Sequence, residues 1–397
     1  MKTLKLLVLT NRIPYPLNDG GNIATYYVLS YLKKFGHSVT LAALNTSKHR
    51  QDPKVVADIA EVHTVDIDTR ITAKGLVGGI FKSIPYNVER FFSIAFANKL
   101  EKILNATRFD IIQLEGIYLS IYLDVLRRNS DAPVVLRSHN IEHEIWERLA
   151  KNESNILKKL YISNLSAKIK NFEIENAMRY DGIIAITKRD EDFYRKIGYK
   201  GPLKTINAGV EILSPPIYLP PASKIRLCFI GSMEWQPNIQ GLYWFIDNVW
   251  PVITSKFENL EFHIAGKNTP KEFLQLNIKG ITVHGEVPDA RTFLQQYEVM
   301  LVPLLSGGGM RLKIVEAMAL GKCIISTSTG AEGIDVQHGK NILIANQVEE
   351  FSLAISMLYK NPALIQEIGS QAYETALQKY RWNNLVAEFE NFYLGLL

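Results

Sequence analysis

The chain of 397 residues is 47% hydrophobic and 21% charged, with a formal net charge of +5. That is too long for one ordinary core and sets an expectation of two domains, with the composition of a soluble globular enzyme. The mild charge, without runs of one sign, excludes a nucleic-acid-binding arm, and no uncharged apolar stretch of about 18 residues offers a membrane span. The opening MKTLKLLVLTNRIPYP has an apolar core, Leu6 to Leu9, too short for a signal peptide and lacking a small-residue cleavage site. Cys228 and Cys323 lie in apolar, strand-like runs, far from a second cysteine or histidine at metal-ligand spacing. They read as buried thiols in a reducing, cytoplasmic compartment.

Leu4 to Thr10 predicts a buried strand. Asn11 to Gly21 is a loop with two prolines and the pair Gly20-Gly21, Asn22 to Phe35 a helix stopped by Gly36, and Ser38 to Leu44 a second strand. Strand, glycine loop, helix, strand opens a doubly wound α/β sheet, whose ligands bind at the carboxyl ends of strands. The fingerprint G-x-G-x-x-G is absent there, which speaks against a nicotinamide or flavin enzyme. From Ala73 to Leu104, Phe81, Tyr86, Phe91, Phe92 and Phe96 alternate with Lys74, Lys82, Arg90, Lys99 and Lys102. Two readings fit that pattern equally: a basic amphipathic surface lying on an anionic membrane, or core aromatics with a solvated lysine face. Strands Asp110 to Leu114 and Pro133 to Leu136 follow. The second runs into Arg137-Ser138-His139-Asn140 and then Glu142-His143-Glu144. His139 thus falls at a strand end, where catalytic groups of such sheets gather, although a lone histidine is as often structural. His139, Glu142 and His143 do not have the H-E-x-x-H zinc spacing. A helix-rich span to Tyr180 and the strand Gly182 to Ile186 complete this half.

Asn207 to Ser223 (NAGVEILSPPIYLPPAS) reads as an interdomain linker. The alternation then restarts. Leu227 to Ile230 is a strand with its turn at Gly231-Ser232, Gly241 to Val252 a helix, Leu260 to Ile264 and Ile281 to His284 strands, and Ala290 to Tyr297 a helix. Leu301 to Leu305 is a strand, Ser306 to Gly309 a glycine hinge, and Met310 to Leu320 a helix with Leu312, Val315, Met318 and Ala319 as its apolar stripe. The strand Cys323 to Ser326 leads to a second glycine turn, Gly330 to Gly333. Helices Glu349 to Tyr359, Pro362 to Gln378 and, around Trp382 to Leu394, an aromatic-rich one close the chain. The glycine hinge lets a diphosphate approach backbone N–H groups at the positive end of a helix. Arg311 and Lys313 in the first turn conflict with the helix dipole unless an anion sits there. Glu316, further along, could reach the hydroxyls of a ribose. The plainer alternative is a βαβ unit whose glycines only permit a tight turn. The basic pair and the second glycine turn favour the phosphate site.

Five segments occur in order: FIGSMEWQPN (Phe229 to Asn238), HIAGK (His263 to Lys267), VHGEVPD (Val283 to Asp289), VMLVPLLSGGGMRLKIVEAMALGKCIISTSTGAEGI (Val299 to Ile334) and HGKNILIA (His338 to Ala345). In these the chain resembles, over nearly its whole length, the retaining glycosyltransferases of family 4. The resemblance implies an α/β fold of the GT-B kind, with two Rossmann-like, doubly wound parallel-sheet domains facing across a cleft. Residues 1–206, joined by a C-terminal helix at about 380–397, would form the acceptor side, 207–223 the linker, and 224–379 the nucleotide-sugar domain. It further implies sugar transfer, with retention, from a nucleotide-diphosphate sugar to a hydroxyl of a glycan or lipid-linked glycan. The setting would be cell-surface polysaccharide or exopolysaccharide assembly, in the cytoplasm or peripherally on the inner face of the membrane. Gly20 and Gly21 match the family's loop near the donor diphosphate, and His139 the histidine that contacts the donor sugar. Glu316 matches the second Glu of E-x7-E, which holds the ribose, and Gly330 to Gly333 the turn behind the nucleotide. With His139, Arg311 and Glu316 as catalytic residues, the donor-binding set is Gly20, Gly21, Gly231, Ser232, Gly307, Gly308, Gly309, Met310, Lys313 and Gly330.

Two departures from the family pattern involve three positions. Gly308 stands where the first Glu of E-x7-E belongs, and Ser232 and Asn238 where a cationic pair clamps the diphosphate. Arg311 and Lys313 could supply that charge from the helix start, with the N–H groups of Gly307 to Gly309 replacing the missing Glu. No metal cofactor is expected, since helix dipole and cations neutralise the leaving diphosphate. Retention lets the leaving oxygen deprotonate the acceptor, so no protein base is required. A rival of another class is a non-catalytic nucleotide-sugar-binding or scaffold protein, for which Gly308 is the argument. An epimerase or hydrolase would need a base that the sequence does not identify.

Overall fold

The computed structural model describes residues 3–72, 75–76, 78–79, 82–218, 225–257 and 259–397. Parts of three expected segments lie outside them: Lys74 and Phe81, with residues 73, 77 and 80, in the 73–104 stretch, 219–223 of the expected linker, and 224 at the start of the expected second domain. The chain forms two units, one from Met1–Asn207 with Leu385–Leu397, the other from Ala208–Asn384.

The first unit is built on seven parallel strands: β1 (Lys5–Thr10), β2 (Ser38–Thr46), β3 (Glu61–Ile67), β4 (Ile111–Glu115), β5 (Val134–Ser138), β6 (Gly182–Ala185) and β7 (Leu203–Thr205). Their order, β3-β2-β1-β4-β5-β6-β7, reverses between β1 and β4. At such a switch point the connections leave in opposite directions and open a crevice at the strands' carboxyl ends. The inner strands are apolar on both faces because helices cover both sides. Leu7, Leu9, Ile112, Leu114, Val134 and Leu136 join one core with Phe96, Tyr122 and Tyr194. Helix α1 (Gly20–Lys34) begins two residues earlier than the sequence predicts, so Gly20 and Gly21 form its first turn rather than a loop. Asp19 caps it by accepting from Asn22 N at 3.0 Å, and Arg12 fixes the cap through a 2.8 Å bond to Asp19.

In the aromatic and basic stretch, helix α2 (Ile94–Ala106) turns Phe96 inward, and Tyr86 and Phe91 are buried too, whereas Phe92 is 45% exposed. Most of its described aromatics therefore belong to the core.

The second unit repeats the plan with β8 (Arg226–Ile230), β9 (Glu261–Ala265), β10 (Ile281–Gly285), β11 (Val299–Val302), β12 (Cys323–Ser326) and β13 (Leu343–Ile344). All pairs are parallel, in the order β10-β9-β8-β11-β12-β13, with the reversal between β8 and β11. Trp250, Phe245, Phe262 and Phe351 fill its core. Helix α3 (Gln236–Trp244) starts five residues before the predicted Gly241. Gly241 sits inside it because a Cβ there would lie 2.3 Å from Pro303 O, so only glycine lets this helix press against the end of β11. A π turn at Phe245–Val249 then precedes Pro251, which has no N–H to give the helix. Cys228 and Cys323 are free and buried in the sheet, and burial pushes both thiols up to about 12.

Candidate active site

In the second unit, the residues after β8 and β11 meet at the switch point. Helix α4 (Leu312–Ala319) starts two residues later than predicted, with Arg311 as its N-terminal flanking residue. Arg311 is thus outside the first turn, and this corrects the expected conflict with the helix dipole. Its guanidinium folds back to donate to the carbonyls of Gly308 and Gly309 and lies 5.0 Å from the Trp235 ring centroid. Arg311 therefore braces the glycine loop. Gly307 and Gly309 have φ of 125° and 77°, which an L side chain rarely adopts. A Cβ on Gly307 would also come within 2.6 Å of Arg311 Nη2.

Lys313 points to the other side of that loop. Its Nζ donates to Asn238 Oδ1 at 2.9 Å and to Ile230 O at 3.3 Å, over the Phe229 ring at 4.1 Å. Asn238 in turn donates to Ser232 O at 2.7 Å, tying the turn after β8 to helix α3. Gly231 makes room for this arrangement: a Cβ would lie 2.7 Å from Asn238 Nδ2 and 3.1 Å from Lys313 Nζ. Burial first, and the Arg311 guanidinium second, pull Lys313 down to about 7. Among the described residues no carboxylate pairs with it. Glu316, one turn on along the same face, is raised from its ordinary value by burial, against the opposing pull of Arg291. Met310 is half-buried at the end of the loop. Gly330 is buried behind the β11 and β12 ends, where a Cβ would meet Ser326 Oγ at 2.3 Å.

In the first unit, His139 follows β5 directly, and its Nε2 lies 2.6 Å from Glu115 Oε2 at the end of β4. Arg137 and Thr25 also reach that oxygen, at 3.2 and 3.1 Å. Gln113 bonds the other oxygen at 2.6 Å and is held by Tyr393 from the C-terminal helix at 2.5 Å. Arg137 is fully buried over the Phe389 ring, and its Nη1 also donates to Ala24 O in α1. Burial opposes ionisation of Glu115, yet Arg137, His139 and Thr25 together hold its carboxyl down at about 2. Glu115 is thus a charged anchor for the His139 ring.

The chain matches the family model described as "Glycosyltransferase Family 4" over residues 18–212, and that described as "Glycosyl transferases group 1" over 224–361. It is 25% identical over 392 residues to a protein of Klebsiella pneumoniae described as an uncharacterized 44.6 kDa protein in the cps region, covering 95% of this chain and 96% of that one. Among solved structures, sucrose-phosphate synthase from Thermosynechococcus elongatus superposes with a TM-score of 0.70 at 16% identity, covering 99% of both chains. HepE of Anabaena in complex with UDP gives 0.69 at 13% identity, over 99% of this chain and 100% of that one. The chain is a glycosyltransferase of the GT-B fold.

In this glycosyltransferase the segment His139-Glu142-His143 does not converge as a ligand set. Tyr118 donates to Glu142 at 2.8 Å, while His143 Nδ1 pairs with Glu173 at 2.6 Å. Burial, with Glu173 nearby, raises the Glu142 carboxyl to about 7 despite the Tyr118 bond. Two Asp-x-Asp triplets occur in the first unit, Asp66-Ile67-Asp68 and Asp190-Glu191-Asp192. Asp66 pairs with Arg50 and Asp68 with Arg70, both at 2.6 Å, and Asp192 with Lys188 at 3.0 Å. Among the described residues no group of three or more His, Cys, Asp or Glu converges on a cation position. Sequence reasoning missed Glu115, and it read Asn238 only as a position lacking the family's cation, not as the partner of Lys313. The available signal for Glu115 was an acidic residue closing a buried strand, Ile111–Glu115, beside the sheet's switch point.

Proposed function

We propose that this glycosyltransferase moves a sugar, with retention, from a nucleotide-diphosphate sugar to a hydroxyl of a glycan or lipid-linked glycan in cell-surface polysaccharide assembly. The observation that carries the donor half is Lys313: among the described residues its ammonium is held only by neutral oxygens, beside a glycine loop. Such a cation gains most from a dianionic leaving group. Its Nζ bonds Asn238, one of the two positions where the family pattern places its own cations, and Asn238 in turn bonds Ser232 O at the other. The lysine thus supplies from α4 the charge that the turn after β8 lacks. The complex of HepE with UDP supports a uridine nucleotide as donor, and the cps-region description of the Klebsiella relative supports a polysaccharide setting.

In this reading the bond from the anomeric carbon to the diphosphate oxygen breaks, and negative charge gathers on that phosphate. Lys313 and the N–H groups of Gly307 to Gly309 stabilise it, while Arg311 keeps the loop in shape. Glu316 accepts from the ribose hydroxyls, His139 contacts the donor sugar, and the N-terminal turn at Gly20 and Gly21 faces the diphosphate. The acceptor hydroxyl attacks the same face of the sugar, and its proton passes to the departing phosphate oxygen. No metal takes part, and the reaction belongs to the cytoplasmic side.

The test is thermal shift against UDP-, GDP-, ADP- and CMP-sugars without metal, followed by turnover with the donor that binds. A hundredfold excess over Kd should add about 2.7 kcal/mol of stability. Silence across the panel, repeated with magnesium, would overturn the donor reading. Binding without turnover against any glycan acceptor would favour a nucleotide-sugar-binding scaffold, the rival suggested by Gly308.

A further inference from the structure

Two helices of the first unit, Glu142–Asn152 and Ile156–Ala177, form an antiparallel hairpin with an unusual tip. Every residue from 154 to 160 is exposed, and Ile156, Leu157 and Leu160 are 74%, 80% and 64% exposed. Ile145 and Leu149, four apart on one face of the first helix, are exposed as well. Leaving such side chains in water forfeits about 1.5–3 kcal/mol each, so a cluster at one tip marks a contact surface. Cations interleave with them. Lys151 and Lys159 are exposed, and Lys158 pairs with Glu153 at 2.6 Å.

Beside the same hairpin, and bounded also by the helix Lys188–Lys196, lies a cavity of about 510 Å³. Arg148, Lys151, Lys170, Arg189 and Lys196 line it. Its acids are Glu144, which pairs with Arg189, and Glu147. The buried His143 at its floor is already held by Glu173. The cavity therefore keeps a surplus of positive charge next to an apolar tip.

We propose that this hairpin docks the protein on an anionic phospholipid surface, the Ile156-Leu157-Leu160 tip entering the headgroup boundary and the basic cavity taking lipid phosphates. Apolar side chains flanked by lysines match the two layers of such a surface, acyl chains beneath anionic headgroups. A second copy on a twofold axis would bring the same cations face to face, which disfavours self-association. The surface differs from the 73–104 stretch, whose described aromatics mostly face the core. It deepens the proposed reaction by giving a lipid-linked acceptor a place to be met, and rests on that reading only in this respect.

Cosedimentation of the full chain with phosphatidylglycerol-rich vesicles, with neither donor nor acceptor present, tests docking apart from catalysis. Binding is expected to such vesicles and not to phosphatidylcholine alone, and to weaken with salt. The double variant Leu157→Glu, Leu160→Glu should lower partition at least ~tenfold without changing Tm, since both side chains point into solvent. Lys170→Ala and Lys196→Ala should each lower it about fivefold. Equal binding to neutral vesicles, or full binding by the tip variant, would overturn the proposal. So would a concentration-dependent dimer that Leu157→Glu abolishes. Cavity variants that bind as the parent does would overturn the headgroup assignment.

Discussion

Each unit carries basic groups at the carboxyl ends of its central strands, and the two sets are treated oppositely. In the first unit Arg137 and His139 share one carboxylate, Glu115, which is further supported by Thr25 and Gln113. In the second, Lys313 is held by a backbone carbonyl and an amide oxygen, and its ammonium is pulled down to about 7 instead of being matched by an acid. A compensated charge is a fixture of the fold. An uncompensated one costs stability and is repaid only when an anion arrives.

The largest effect should come from removing the compensation. Glu115→Ala leaves Arg137 buried without its carboxylate and is expected to destabilise by about 3–5 kcal/mol, read as a fall in the denaturant midpoint. A loss below ~1 kcal/mol would mean that the first unit's charges are not coupled as described. Next, Lys313→Met should leave the melting temperature level or higher while weakening nucleotide-diphosphate affinity by about 1.5–3 kcal/mol in calorimetry. Unchanged affinity would remove the contrast between the units.

A pH series sharpens it further. In the free protein Lys313 loses its proton above about 7, so diphosphate binding should take up a proton and weaken by up to ~tenfold per pH unit beyond that point. Calorimetry in buffers of different ionisation enthalpy would show the uptake, and its absence at pH above 7 would count against the lysine. Glu115 works in another window. Its folded value of about 2 lies below the unfolded value of about 4.3, so it contributes stability above the latter that is lost as pH falls through the former. Acid unfolding followed for Glu115→Gln should have a shallower pH dependence between these values. The smallest effect is expected from Gly307→Ala, whose strained φ and contact with Arg311 should cost about 1 kcal/mol locally and loosen donor binding.

The parallel-sheet plan was legible because central strands such as Leu4 to Thr10 are buried on both faces and punctuated by glycine turns. The edge strands Glu61–Ile67 and Leu203–Thr205 were not, since one is only partly buried and the other is three residues long. Glycine misled twice. Gly241 read as a helix boundary but is an internal packing residue, and Gly20-Gly21 read as a loop but starts a helix. In the site, Lys313 was legible through its conflict with the helix dipole. Arg311 was misread by the same argument, because periodicity does not reveal where a helix's first turn begins. Glu115 and Asn238 act through partners 24 and 75 residues away, His139 and Lys313, and no local pattern carries such distances.

The close glycine contacts of the second unit have a mechanical consequence. Gly241 lies against Pro303 O, where the strand gives way to the loop, and Gly369 against Gly321 O, just past the end of α4. Both are backbone-to-backbone contacts with no room for even a methyl group, so the segment between them is pinned at two posts. Between those posts the chain turns through Gly307 and Gly309, whose φ of 125° and 77° only glycine adopts readily. The loop is thus a short span on fixed mounts, and Arg311 ties its middle by donating to the carbonyls of Gly308 and Gly309.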